Sequence, residues 1–320
     1  MSTFIKNNSL MISSGGFKCA LQPSGANRAN WNRCANWNGS TIGNLTTVGT
    51  NGGPSAYGTY DQSGNIEEHL ENYTGSSTYM FRHAASFDDT ANYLAYDTGL
   101  IGNVLITASE VQRGFRVASY ANPYSYYNFV NICDVNNSSA PNGYGSVSYQ
   151  YKINKYLITN SDYMEYLIAI ATIDAPAGVS GSKVYVNNMR TNISGGINRT
   201  QIGGSGSSII WSYNIRSNMG NKPVNFVSWL MSARYINWLH NGKPSGSQNS
   251  SSTENGAYDM SLTIPTRKIG AKYFIPTINE WTKSGFYKGG STNAGYWTYA
   301  TQSNTIPTCV SATSIGDGII

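Results

Sequence analysis

The stretch Asn51-Gly-Gly-Pro-Ser-Ala-Tyr-Gly-Thr-Tyr-Asp-Gln-Ser-Gly-Asn-Ile-Glu-Glu-His69 constrains this chain most. Its glycines and proline punctuate the run too densely for continuous regular structure, so it must form a tight loop. Oxygen-bearing residues recur from Asp61 to Glu68 at a spacing that suits a hard cation, and Gly64 allows the turn. Glu67 and Glu68 are adjacent; in a strand they would point to opposite faces, which makes a poor acid/base pair.

Composition sets the surroundings of that loop. Only 12% of the 320 residues are charged, about half the usual share, while 40% are hydrophobic. Low charge with this much apolar content argues for a folded chain. The polarity comes from Asn, Ser, Thr, Gly and Tyr, which suit adaptable binding surfaces and equally a loop-rich extracellular or virion scaffold. The net charge of +5 is scattered without a Lys/Arg run, so no nucleic-acid partner is expected. No apolar run is long enough for a transmembrane helix, so no membrane insertion is expected. Met1-Ser-Thr-Phe-Ile-Lys lacks a basic-then-apolar opening, and export by the general secretory route is not expected. Cys19, Cys34, Cys133 and Cys309 show no Cys-x-x-Cys or Cys/His ligand spacing. Cys19–Cys34 could pair locally; free buried thiols are the expectation.

In order, residues 1–25 read as an arm, with Phe4, Ile5, Leu10, Met11 and Ile12 able to form short strands. Residues 26–120 form a first block: coil held by Trp31 and Trp37, the loop above, and strands near 78–87 and 103–120. Residues 121–146, rich in Asn, Pro, Tyr, Ser and Gly, read as a linker. Residues 147–320 form a second block. It opens with an alternating strand pair over 147–158. Thr159, Asn160 and Ser161 offer N-cap oxygens to a helix over 161–171, with Met164, Leu167, Ile168 and Ala171 on its apolar face. Residues 174–221 read as a long insertion of loops and short strands. Ser228 caps a second helix, with Trp229, Ala233, Ile236 and Leu239 on its apolar face and Asn241-Gly242 at its end. Thr277 and Glu280 form a capping box on a further short helix. The fold class is α+β and loop-rich, with two main helices and short antiparallel strands.

Six segments together resemble the formylglycine-generating-enzyme, or sulfatase-modifying-factor, domain family. Val147–Leu167 resembles its opening strand and helix. Pro223-Val-Asn-Phe-Val-Ser-Trp229 through Asn237-Trp-Leu-His-Asn-Gly242 resembles its second helix. Ile275-Pro-Thr-Ile-Asn-Glu-Trp281 is similar to its Leu-Pro-Thr-x-x-Glu-Trp signature. Tyr57-Gly-Thr-Tyr-Asp-Gln-Ser-Gly-Asn-Ile-Glu-Glu68 is similar to its Gly-x-x-Asp-x-x-Gly-Asn-Val-x-Glu-Trp signature. Phe81-Arg-His-Ala-Ala-Ser-Phe87 stands where the family has Arg-Gly-Gly-Ser, and Gly114-Phe-Arg-Val-Ala-Ser119 resembles its closing strand. The resemblance implies a C-type lectin-like fold. The family's last segments come first here, which reads as a circular permutation: 26–120 is the old C-terminal half, 147–320 the old N-terminal half, and 121–146 joins the old termini. Joins of this kind succeed because domain termini are commonly close. Exchange of halves between neighbouring chains is the alternative.

By position, the resemblance implies a Ca²⁺ site held by the Asp61 and Glu68 side chains and the Gly64 and Ile66 carbonyls. A second calcium loop, near 36–48, has no matching carboxylate and is not carried over. The family's oxidase chemistry needs a cysteine pair in the segment that here spans 88–112, and that segment has none. His69, His83 and His240 lack metal spacing; His69 reads as packed or exposed and His240 as a helix-end residue. The expectation is therefore a protein that is not an enzyme: a virion decoration, tail or fibre protein that contacts other virion proteins, copies of itself, or a host-surface glycan or protein. A bacterial cell-surface or exported ligand-binding protein is the alternative, and an oxidoreductase of this family with an unrecognised site is the third reading.

Overall fold

A computed structural model describes residues 19–73, 79–98, 102–120, 128–173 and 184–319. The expected strands around Phe4 and Leu10 lie outside these residues. The described chain is α+β. The first block supplies a four-stranded sheet, ordered β4-β3-β2-β5, from Glu67–Tyr73 (β2), Tyr79–His83 (β3), Gly102–Leu105 (β4) and Arg113–Gly114 (β5). β2 and β3 are antiparallel, with Glu68 opposite His83, whereas β2 and β5 are parallel.

A second sheet joins the blocks. Ala118–Ser119 (β6) and Phe129–Ile132 (β7) flank Tyr151–Asn154 (β8), both antiparallel to it. Ala118 and Phe274 also exchange both backbone hydrogen bonds, at 2.8 and 2.9 Å. The segment expected as a linker is thus fixed structure over 128–146: its Phe129 and Val130 alternate as half-buried strand residues, and Asn137 Nδ2 donates to Gly145 O at 2.8 Å. The turn-rich composition hid a four-residue strand.

The helices follow their caps. Asn160–Ile170 (α1) starts after Thr159, whose hydroxyl accepts from Asp162 N while the Asp162 carboxylate accepts from Thr159 N, and buries Tyr163, Tyr166, Leu167 and Ile170. Of the expected face, Leu167 and Ala171 are buried and Met164 packs partly against the core, whereas Ile168 is exposed and Tyr163 and Tyr166 face inward instead. The insertion holds a short helix, Asn188–Thr191 (α2), and a hairpin of Ile197–Gly203 (β9) with Ile210–Ile215 (β10). Trp229–His240 (α3) is capped by Ser228 and buried almost all round, the pattern of a central helix. Ile278–Phe286 (α4) carries the Thr277/Glu280 capping box.

The chain then returns to its beginning. Thr308–Cys309 (β11) pairs parallel with Arg28–Ala29 (β1), and Gly318–Ile319 (β13) pairs with Ser311–Ala312 (β12). Arg28 Nη1 donates to Ile319 O at 3.2 Å, and buried Lys222 Nζ donates to Ile315 O at 2.8 Å beneath the Trp37 ring. One core cluster draws on Tyr57, Met80, Phe115 and Val117 from the first block, Ile132 from between, and Tyr163, Tyr235 and Trp238 from the second.

The cysteines correct the sequence expectation. None of the four is free, and Cys19 is not bonded to Cys34: Cys19 pairs with Cys133 and Cys34 with Cys309, each pair with Cα atoms 6.1 Å apart. Spacing along the chain allowed at most a local staple, with free buried thiols expected. Chain closure brings together residues 114 and 275 positions apart instead.

Candidate functional site

The 51–69 loop is built around a buried arginine. Arg116 Nε and Nη2 donate to the two Glu68 oxygens at 2.8 and 2.9 Å, a bidentate pair with both side chains fully buried. The remaining donors of Arg116 reach Asn154 O, Lys155 O and Tyr60 O, at 3.0, 3.2 and 2.8 Å. One guanidinium therefore ties the loop, the β2 strand and the end of β8. Gly64 has φ +110°, and a Cβ there would lie 2.5 Å from Asn30 O. Only glycine fits that crossing.

Asp61 stands beside this pair in the left-handed region, φ +63°. Its Oδ2 accepts from Gly49 N at 2.7 Å and its Oδ1 from Asn51 Nδ2 at 2.8 Å. Burial pushes its carboxyl above the usual range and the Glu68 charge adds to this, while the Gly49 and Asn51 donors and Arg116 oppose it. Asn51 continues into an amide network: Thr46 Oγ1 donates to Asn51 Oδ1 at 2.6 Å, and Asn30 Nδ2 donates to Asn44 O at 2.9 Å and Asn65 Oδ1 at 3.1 Å.

Of the four residues expected to hold calcium, Glu68 is bonded to Arg116, Asp61 to Gly49 and Asn51, and the Gly64 carbonyl accepts from Ile66 N at 3.0 Å. Among the described residues no three His, Cys, Asp or Glu side chains converge as a metal cluster. Carboxylate and carbonyl oxygens are nevertheless the donor types that a hard cation takes. Arg116 takes the Glu68 carboxylate and the Gly49 and Asn51 N–H groups take Asp61, while each carboxylate oxygen keeps a second lone-pair direction. Asp61 also lines a small cleft with Tyr60, Gln62, Ser63, Arg28 and Thr301, with a volume of about 10 Å³. That is room for about one water-sized occupant.

The histidines are packed. His69 is buried, with Nε2 3.0 Å from Val227 O. His83 is buried against the Trp281 ring, centroids 4.5 Å apart, with Nε2 3.2 Å from Tyr96 O and Nδ1 accepting from Ala84 N at 2.7 Å. Burial lowers both to about 4. His240 ends α3, and its Nδ1 accepts from Lys272 N at 3.1 Å. Glu67 faces away from Glu68 and pairs with Arg82 and, at 3.7 Å, Arg113.

Sequence reasoning missed a second ionic centre. Arg267, from a segment that reads as polar loop, donates to Glu71 Oε2 and to both Glu280 oxygens at 3.1 and 3.0 Å. Its guanidinium lies 3.6 Å from the Phe274 ring centroid. Burial would raise the Glu280 carboxyl, but Arg267 and the Thr277 N–H outweigh it and hold the group below its usual range. Tyr149 donates to Glu280 Oε1 at 2.8 Å, and Tyr120 also bonds Arg267; both rings are 36% exposed and form a T-shaped pair. Only the Thr277/Glu280 box signalled any of this, since Arg267 has no periodic or motif context.

No helix among the described residues is long and apolar enough to cross a membrane. No family model, curated protein or solved structure matches this chain.

Proposed function

We propose that this chain is a non-enzymatic binding or structural module of a virus particle, with a circularly permuted C-type lectin-like fold, that contacts copies of itself, other virion proteins, or a host-surface glycan or protein. The observation that carries this reading is the pair of long-range disulfides, Cys19–Cys133 and Cys34–Cys309. Such bonds persist on virion and cell surfaces and are rare in reducing compartments. The bonds also consume the four thiols of the chain, and none lies in the 88–112 segment where the resembling family keeps its oxidase pair. The exposed pair Tyr120 and Tyr149 and the Asn/Ser/Gly-rich loops support a binding role. The same disulfides favour a bacterial cell-surface or exported binding protein equally well. A family-type oxidoreductase with another site is the least supported reading.

Calcium belongs to this proposal as a brace. Asp61 and Glu68 would supply carboxylate oxygens, and Gly64 and Ile66 carbonyls. The ion would supply charge compensation and no chemistry. Three experiments test the reading. Antibody labelling of intact particles should decorate their surface, whereas label confined to the cytoplasm of the producing cell overturns it. Copper- or iron-loaded protein should leave a thiol peptide unoxidised; turnover overturns the non-enzymatic assignment. EGTA should lower the melting temperature of the native protein and leave Asp61→Ala unshifted. An EGTA-insensitive native protein removes calcium from the account.

A further inference from the structure

Five Asn-Gly pairs occur, at Asn38, Asn51, Asn142, Asn241 and Asn255. At such a pair the glycine leaves the backbone free to bring its nitrogen against the preceding side-chain amide. In four of them the structure holds the groups elsewhere. Asn38 Nδ2 donates to Ile193 O at 3.3 Å. Asn51 is buried between Thr46 and Asp61. Asn142 Nδ2 donates to Tyr96 O at 3.0 Å and its Oδ1 accepts from Tyr144 N. Asn241 Nδ2 donates to Ser252 O and Asn255 O, and Gly242 N donates to Leu239 O at 3.1 Å.

Asn255 differs in its hydrogen bonding; like Asn38, it is exposed. Its Oδ1 accepts from Gly256 N, the atom that would attack it, at 2.9 Å. The same oxygen accepts from the Lys268 ammonium. A Cβ at Gly256 would meet Asn237 Oδ1 at 3.0 Å, so a side chain there would be crowded.

We infer that Asn255 is a self-modification site, where the chain converts its own amide to Asp or isoaspartate through a succinimide. Base removes the Gly256 N–H proton, and the nitrogen forms a bond to Asn255 Cγ. The C=O electron pair moves to Oδ1, where Lys268 stabilises the developing charge. Collapse re-forms the carbonyl and expels Nδ2, which leaves as ammonia after taking a proton from solvent. Water then opens the ring at either carbonyl. The net change is one water consumed and one ammonia released, and the formal charge falls from +5 to +4. The new carboxylate competes with Asp259, 3.7 Å from Lys268 Nζ, for that ammonium. The isoaspartate product also lengthens the backbone next to Glu254, the partner of buried Arg234 on α3.

The test is peptide mapping of the full disulfide-bonded protein held in mildly alkaline buffer, with isoaspartate and succinimide followed over time. The Asn255 peptide should convert first, on the order of tenfold faster than the other four, a barrier difference of about 1.4 kcal/mol. Lys268→Met should slow it roughly three- to tenfold, less than a buried oxyanion donor would, because Lys268 is solvent-screened. Asn255→Gln should abolish it. Faster conversion at any other pair, or an unchanged rate in Lys268→Met, overturns the inference. So does ammonia loss that leaves residue 255 cross-linked to residue 268, which would mean the lysine amine attacked instead.

Discussion

Glu68 and Arg116 show how a single residue decides the character of the 51–69 loop. Both are fully buried, and Arg116 spends its donors on the Glu68 carboxylate and three backbone carbonyls. Such a pair stabilises little relative to an apolar replacement, but removing one partner strands the other charge. Arg116→Met should therefore cost about 3–5 kcal/mol in urea unfolding. A loss under about 1 kcal/mol, the range of an exposed pair, would show that Glu68 has another partner. At this scale the sequence was half legible. The oxygen spacing and Gly64 announced a tight, carboxylate-bearing turn, and the opposite directions of Glu67 and Glu68 follow from strand alternation. That the nearest cation is Arg116, 48 positions away, follows only from β2 pairing with β5. The Arg267 centre was illegible for the same reason, because its three charged members come from β2, a loop and α4.

The elements were most legible where a local cap defines them. Thr159, Ser228 and Thr277 each accept from the N–H three residues on, and each helix begins where its capping sequence places it. Thr277→Ala should cost about 1 kcal/mol, with a larger effect than Thr159→Ala because Glu280 also anchors Arg267. Equal losses in thermal unfolding would detach the cap from the ionic centre. Short strands were less legible. β7 sits in a turn-rich segment, and β1, β5 and β6 are two residues each, too short for any alternation to register. The disulfides were illegible for a physical reason as well: Cys34–Cys309 depends on where β11 returns to β1, and Cys133 directly follows β7 in the second sheet, which no local pattern encodes.

For the whole molecule, closure across both blocks makes stability depend on buried neutral groups. His69 and His83 have pKa values lowered to about 4, against about 6.5 when exposed. The native state therefore binds fewer protons than the unfolded chain between those values. Their contribution is fully present above about pH 6.5 and is lost as pH falls toward 4. The melting temperature should fall steadily over that window, and His83→Asn, destabilised at neutral pH, should show a shallower fall. A flat native profile would place these rings in contact with water. The central claim is that the two blocks close on each other within one chain. Peptide mapping of the unreduced protein, with its non-reducing mass measured alongside, tests it most directly. The account predicts Cys19–Cys133 and Cys34–Cys309, each within a single chain; free thiols, a Cys19–Cys34 bond, or the same bonds formed between chains would contradict it.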